Sequence, residues 1–368
     1  LQRSDQLLSL ESAIKLLNRA LELDPKYALA HSGLGEAYLY QYELTRDPKL
    51  MELALQRGDQ GLALNPNLAQ TNISMGRIHL GTGRYQEARH DFEKATALDS
   101  RNNEAYQGLA NAYSKLKDDK RAEAIYLQAI ALRPGDWTGY KHLGMFYYER
   151  SEYDKAIAQY SKVVELSPDN AQGYVNLGVI QALTEKWDEA EKTFLLARSL
   201  DPSRVSTITN LAKIYYERGQ YDRALEYYQR ALDLNNRSYL RWGNLGMTYK
   251  RVGNEQKARE AIDRAIQLLQ SEILVNPRRG ELHSYLGYYR AMLGRPDYRE
   301  PLQTALQLAP ADLGTVARVA EGFAVRGDTA RAVELVKQLI AQGYNVKFLQ
   351  RSLELRGLLE AAGVPAPK

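Results

Sequence analysis

A chain of 368 residues carries 49 lysines and arginines against 45 aspartates and glutamates, with 44% hydrophobic and 26% charged residues. A net charge of +4 over that length is close to balance, which argues against a surface dedicated to nucleic acid or anionic lipid. The absence of cysteine excludes disulfides, thiolate metal sites and cysteine nucleophiles, and no run of 18 apolar residues exists to span a membrane.

The chain starts at Leu1 with neither a methionine nor a signal peptide. It is therefore read as a soluble fragment of a longer protein, with the cytoplasm favoured over the periplasm. Leu8 to Leu23 follows as one amphipathic helix, so residues 1–27 are predicted to be a partial repeat or cap. Its partner helix is either degenerate or upstream. Apolar residues then recur with helical spacing throughout, and no stretch alternates with period 2, so essentially no strand is expected.

The first full unit, residues 28–66, is long: the gap from Tyr38 to Ala54 exceeds that from Tyr147 to Ala156 by seven residues. Seven residues are nearly two helical turns, so a helix can lengthen by that amount without rotating its buried face. Because the insertion contains Asp47-Pro48, either a longer first helix or a protruding loop is predicted there.

A strict period follows. Leu143, Leu177, Leu211 and Leu245 stand 34 residues apart, each followed by Gly144, Gly178, Ala212 or Gly246. The same spacing carries Ala156, Ala190, Ala224 and Ala258, then Tyr160, Phe194 and Tyr228, then Pro134, Pro168 and Pro202. A fixed period of this size marks a solenoid, whose units bury their apolar faces only by stacking on neighbours. Each unit reads as two helices of about 12 to 15 residues joined by a tight turn. Gly219 and Gly253 stop the first helix of their units, and Asp24-Pro25, Ser167-Pro168 and Asp201-Pro202 separate one unit from the next.

The unit 239–277 is again seven residues long, between Ala265 and Pro277, which predicts an extended second helix over Ala261 to Leu274. Pro296 and Pro301 make the unit containing Leu302 and Ala305 irregular. Residues 345–368 read as a cap: a terminal helix from Asn345 to Ala362, with Leu349, Leu353 and Leu358 covering the last apolar face, then a frayed tail from Val364 to Pro367.

The repeated pattern is similar to the tetratricopeptide repeat. In one unit its signature residues are Tyr140, Leu143-Gly144, Tyr147, Ala156, Tyr160, Val163 and Pro168. In the next they are Tyr174, Leu177-Gly178, Gln181, Ala190, Phe194, Ala197 and Pro202. About nine such units cover residues 28–344. The resemblance implies an all-α, right-handed α-solenoid of helix-turn-helix repeats, and a non-enzymatic scaffold that binds a peptide or extended protein segment in its concave groove.

Few residues suggest other chemistry. His31, His79, His90, His142 and His283 form no metal-binding pattern, and His31 and His283 occupy the bulky position that Tyr140 and Trp242 fill elsewhere. Gly81-Thr82-Gly83 has no preceding strand and is not read as a phosphate loop. Asn72-Ile73-Ser74 and Asn236-Arg237-Ser238 match the glycosylation acceptor pattern, the first on a packing position. No catalytic residue, metal or cofactor is expected.

Asn176, Asn210 and Asn244 stand one residue before the periodic leucines in three successive units. An amide side chain both donates and accepts, so it can pair with a peptide main chain whatever its sequence. The family resemblance implies that this position lines the groove and that such a ladder can clamp a peptide. The alternative is that the amides bond neighbouring helix ends or water. Projection of the other groove positions adds Arg77, Asn111, Lys141, Tyr148, Lys213, Tyr216 and Arg251 to the candidate peptide-binding set. The charged clamp of the chaperone-docking members is not met, because Met145, Ser206 and Asn210 stand where it needs other residues.

The expected partner is a protein or peptide, with end-to-end self-association starting at Leu8 to Leu23 as a further expectation. The stretch from Asp24 to His31 also resembles repeats at the C-terminal end of bacterial signalling proteins such as serine/threonine kinases. That implies the alternative of a regulatory module in a larger signalling enzyme.

Overall fold

In a computed structural model, residues 2–45 and 47–364 are described, with side chains from Leu7 onward. Every extended element among them is helical, and no strand occurs among the described residues. The frayed tail expected at the C-terminus lies, from Pro365 on, outside the described residues.

The helices alternate as the period requires. First helices are α2 (Ala28–Thr45), α4 (Ala69–Gly81), α6 (Asn103–Lys115), α8 (Trp137–Glu149), α10 (Ala171–Leu183), α12 (Val205–Glu217), α14 (Tyr239–Arg251), α16 (Gly280–Met292) and α18 (Leu313–Val325). Second helices are α3 (Pro48–Leu64), α5 (Tyr85–Leu98), α7 (Asp119–Leu132), α9 (Tyr153–Leu166), α11 (Trp187–Leu200), α13 (Tyr221–Leu234), α15 (Glu255–Val275), α17 (Arg299–Leu308) and α19 (Thr329–Ala341). The pairs are preceded by α1 (Gln2–Leu23), which packs on α2, and followed by a short α20 (Val346–Arg351). The chain divides into two compact units, Leu1–Lys186 and Trp187–Lys368.

Both length anomalies resolve as helix extension. The first lengthens α2 to 18 residues, against 13 in α4. Asp47 then caps α3 by accepting from the Lys49 amide at 3.1 Å, and Pro48 takes the first helical position, where its missing N–H matters least. The second makes α15 a 21-residue helix, as its unbroken apolar spacing required. The proline-bearing unit is indeed irregular: a single 3-10 turn at Pro296–Tyr298 precedes the shortened α17.

Small residues let the paired helices touch. A β-carbon added at Gly35 would lie 2.9 Å from the Ala54 carbonyl, and one at Gly144 would meet the Tyr160 ring at 3.0 Å. Phe92, fully buried in α5, has one ring edge against Gly76 of its own unit and the other against Gly108 of the next. The turn after each first helix from α4 to α18 uses a left-handed residue. Gly219 and Gly253 supply it at φ of 71° and 76°, whereas Lys117, Ser151 and Glu185 adopt it in other units despite their side chains.

The bulky position of the first helix has a polar task that unites its different residues. Tyr140 Oη donates to the Pro134 carbonyl at 3.1 Å, and Trp242 Nε1 to the Asn236 carbonyl at 2.8 Å. His31 Nε2 reaches Pro25 at 3.0 Å and His283 Nε2 reaches Pro277 at 2.9 Å, again six residues back. A carbonyl can only accept, so both histidines carry their proton on Nε2 there. These histidines fasten the inter-unit turn. Asn72, buried in α4, likewise donates to the carbonyls of Pro66 and Leu68, so its glycosylation pattern is inaccessible.

Neighbouring repeats are also tied by buried hydroxyls and charge. Tyr147 Oη donates to Glu123 on the preceding second helix at 2.5 Å, and Tyr215 Oη to Glu191 at 2.9 Å. Arg218 pairs with Asp188 at 2.9 Å and with Glu191 at 2.8 Å, and Arg150 reaches Asp119 and Ser114.

The end of the chain departs from the expected single helix. The α20 helix stops at Arg351, Ser352 is extended at φ −66° and ψ 118°, and a 3-10 turn follows at Arg356–Leu358. This break changes which leucines cover the last repeat. Leu349, Leu355 and Leu359 are buried with Phe323, Leu335, Val336 and Leu339, whereas Leu353 is exposed and Leu358 only partly buried.

Candidate functional site

In the second unit, one cleft of about 590 Å³ has walls drawn from first helices and from the segment that follows the last repeat. Tyr216 and Glu217 of α12, Met247, Lys250 and Arg251 of α14, Tyr288 and Met292 of α16, and Arg318 and Glu321 of α18 all face it. From the second helices only Glu255, the first residue of α15, takes part. First helices thus share one inner face in this unit, because their small-residue side is packed against their partners.

The cleft is charged but internally matched. Arg251 Nε donates to Tyr216 Oη at 3.1 Å. Arg318 pairs with Glu321 at 2.5 Å and lies over the Tyr285 and Tyr288 rings, 4.7 and 5.3 Å from their centroids. Burial raises the Glu321 carboxyl above the ordinary carboxylate range, against the pull of Arg318 and of the Ser352 hydroxyl. Glu217 is raised for the same reason, opposed by Arg351 and Lys213. The surrounding protein desolvates the Lys213 ammonium and holds it below the usual lysine range; Glu217 opposes this and Arg318 adds to it. Solvent still reaches Lys213, so that shift reflects a crowded open surface rather than a sealed interior.

In the first unit a smaller cleft of about 270 Å³ lies between α8 and α10, lined by Met145, Tyr148, Glu149, Tyr160, Asn176, Val179 and Ile180. Met145 and Tyr148 are 45% and 41% exposed, unusually open for their size. This cleft is more apolar than the other, with one carboxylate and one amide on its wall.

The candidate residues read from the sequence divide accordingly. Tyr148 and Asn176 come together in the smaller cleft, and Tyr216 and Arg251 in the larger. Lys213 lies one turn before Tyr216 and Glu217 on α12. Asn176, Asn210 and Asn244 are each partly exposed on their first helices. The Asn176 side-chain oxygen accepts from Gln172 Nε2 at 2.8 Å, on the same helix. Asn210 and Asn244 show no side-chain hydrogen bond among the described residues.

Six candidates line neither cleft: Lys213, Asn210, Asn244, Arg77, Lys141 and Asn111. Arg77 is engaged by Glu36 at 3.2 Å and Glu104 at 2.6 Å, which makes it a strut between repeats. Lys141 lies over the Trp137 ring at 5.5 Å. Asn111 is exposed on α6 and lines neither cleft. Beside Lys141, His142 is depressed to about 4 by burial, with the lysine charge adding to the effect.

Sequence reasoning missed Tyr288, Arg318, Glu321, Phe348 and the residues from Arg351 to Glu354, all on the larger cleft. A signal for Arg318 was present. It precedes Val319-Ala320 as Asn244 precedes Leu245-Gly246, and so stands in the asparagine register. The terminal segment carried no such signal, because it lies outside the repeat.

No helix among the described residues is long and apolar enough to cross a membrane. Comparison with known proteins gives a consistent family. A TPR repeat profile matches residues 9–41 and 144–184, and tetratricopeptide repeat profiles match 73–136, 169–237 and 203–271, together more than half of the chain. Anaphase-promoting complex subunit 3 of Schizosaccharomyces pombe is 25% identical over 120 residues, or 33% of this chain and 17% of that protein. The chain thus spans less than a fifth of that relative.

Among solved structures, PilF of Pseudomonas aeruginosa is 20% identical, covering 54% of this chain and 91% of its own, with a TM-score of 0.47. A MamA structure (MSR-1) is 28% identical over 46% of this chain and 97% of its own, at 0.38. YrrB, described as a TPR protein with an unusual peptide-binding site, is 24% identical over 52% and 95%, at 0.35. With these profiles covering most of its repeats, the chain belongs to the tetratricopeptide repeat family.

Proposed function

We propose that this chain is a scaffold that holds an extended peptide segment along the inner faces of its first helices. Modules of this family are typically protein–protein interaction scaffolds and usually non-catalytic. The observation that carries the finer reading is the pair of asparagines in the second unit. Asn210 and Asn244 stand partly exposed in one register, with amides that satisfy no partner among the described residues. A part-exposed amide without a hydrogen-bond partner offers a donor and an acceptor to a passing main chain. In the second unit Tyr216, Lys213 and Arg251 add aromatic surface and positive charge, which suits a segment with aromatic or acidic side chains. Asn176 extends the register, with its oxygen already partly used by Gln172.

The reading is tested by capture from a lysate with the intact chain, identification of the bound protein by mass spectrometry, and titration of its binding segment. Replacing Asn176, Asn210 and Asn244 together by Ala is expected to weaken that binding at least tenfold while leaving helicity intact. Unchanged affinity in the triple variant would overturn the ladder. A second reading, a regulatory module of a larger bacterial signalling enzyme, draws on the resemblance of the Asp24 to His31 stretch and uses the same surface.

A further inference from the structure

The inner face of the second unit is partly filled by the chain itself. Phe348, Arg351, Ser352, Leu353 and Glu354 line the same cleft as Tyr216, Met247 and Arg251, yet they follow the last repeat rather than belong to one. Their contacts are specific. Ser352 Oγ donates to Glu321 Oε1 at 2.8 Å, and Tyr288 Oη donates to Glu354 Oε1 at 3.3 Å. The Arg351 guanidinium lies over the Trp187 ring at 5.5 Å.

The leucines within and after this stretch are anchored differently. Leu349, Leu355 and Leu359 are 1%, 1% and 4% exposed against the apolar end of the last repeat. One function, covering that end, is therefore met by the leucines alone. Ser352 and Glu354 contribute nothing to it: they point polar groups at Glu321 and Tyr288. Glu321 is itself paired with Arg318, the residue of α18 that stands in the asparagine register.

We infer that residues 346–354 are a built-in occupant of the α16–α18 part of the groove, and that the true partner competes with them. The inference rests on the groove reading above and adds the partner's chemistry. What the segment offers is a hydroxyl that donates to Glu321 and, two residues on, a carboxylate that accepts from Tyr288. A displacing peptide carries the same pair, a serine or threonine followed two residues later by an acidic residue. With the segment seated, the α12–α14 part stands open, bordered by Lys250 and Glu217, and a separate cleft of about 280 Å³ remains between α16 and α18, lined by Ser284, Tyr285 and Thr315. Affinity for the external peptide is then reduced by the fraction of molecules whose segment is docked.

The test uses the full chain and a fluorescent peptide with the sequence of residues 345–356. Ser352→Asp sets a third carboxylate beside Glu321 and Glu354, and repulsion between like charges should release the segment, Leu349 with it, while Leu355 and Leu359 keep the last repeat covered. Hydrogen exchange of residues 346–354 is expected to accelerate at least tenfold in Ser352→Asp, with α18 exchange unchanged. The peptide should bind that variant at least tenfold more tightly than the parent. Adding Tyr288→Phe should remove most of the gain, and Ser352→Thr should behave as the parent.

Equal binding to parent and variant, or binding to neither, overturns the inference and leaves the segment a structural cap. So does fast exchange of residues 346–354 in the parent. These outcomes are independent of the asparagine test, whose residues lie on α10, α12 and α14. A captured partner that depends on those asparagines while the terminal peptide binds nothing would retain the groove and discard the occupant.

Discussion

Gly108→Ala is predicted to loosen the first unit locally, for a reason visible at one ring. The added β-carbon would fall 2.2, 2.4 and 2.6 Å from three atoms of the Phe92 ring, all well inside the 3.4 Å at which ordinary contact begins. The opposite edge of the same ring faces Gly76, where a β-carbon would likewise fall within 2.8 Å, so the ring is fitted between two glycines. Overpacking a full core costs about 1–3 kcal/mol, and this geometry argues for the upper part of that range. Alanine returns about 1 kcal/mol of helix propensity. The net expectation is destabilisation by about 1–2 kcal/mol.

Repeat arrays do not unfold as one cooperative unit, so a global melting curve would dilute the effect. Hydrogen exchange of the α5 and α6 amides reads it directly, and should accelerate roughly 5- to 30-fold. Gly135→Ala is the control. Its β-carbon meets nothing within 4 Å and its backbone is not left-handed, so slight stabilisation of about 0.4–1 kcal/mol is expected. In a double-mutant cycle, Phe92→Leu should relieve at least 1 kcal/mol of the Gly108→Ala penalty. Slower or unchanged exchange in Gly108→Ala would refute the claim that glycine at this position sets the spacing between repeats.

Other outcomes follow from the same structure. His142, depressed to about 4 against 6.5 when unfolded, remains neutral in the folded chain while the unfolded chain takes up a proton. Its contribution is complete above pH 6.5 and is lost as pH falls toward 4, by at most about 3 kcal/mol; His142→Gln should flatten urea-midpoint against pH over that window, and an NMR titration of its ring near 6.5 would contradict the assignment. Tyr215→Phe removes the buried hydroxyl that joins Glu191 and Arg223 at 2.9 and 2.7 Å, and should cost about 1–2 kcal/mol in exchange of α12; a loss below 0.5 would show that Arg218 alone suffices. Ser151→Gly and Glu185→Gly, at φ of 58° and 63°, should each stabilise their turn by about 1 kcal/mol in the same assay, and a destabilisation would refute the idea that these side chains are strained there.

Much of the fold was legible because packing repeats. Leu143, Gly144, Ala156 and Tyr160 recur at a spacing that only stacked helix pairs satisfy, and the seven-residue excess at Ala265 read correctly as a longer α15. The excess near Asp47-Pro48 left two readings because proline serves equally as a loop residue and as the first residue of a helix. The terminal helix was misjudged for a related reason: Leu349, Leu353 and Leu358 fit a helical stripe, but burial is taken by Leu355 and Leu359 after a break at Ser352. Nothing in a one-dimensional pattern reports that Ser352 finds Glu321 across 31 positions of sequence.

The groove was legible only in part. Tyr216 and Arg251 follow from register, and they do share a cleft. Arg77 has the same register logic but is consumed by Glu36 and Glu104, since an arginine between two glutamates on adjacent repeats bonds them first. Charge pairing of this kind depends on which side chains meet between repeats, and a helical projection of one chain segment does not contain it.

The central claim is that partner peptide lies on the inner faces of the first helices. A captured partner segment carrying a photoreactive group, bound to the full chain and irradiated, tests it most directly. The account predicts adducts on α12 and α14, at Tyr216, Met247 or Lys250, that diminish when Asn176, Asn210 and Asn244 are replaced by Ala. Adducts confined to the second helices, at residues such as Leu196 or Tyr227, would contradict it.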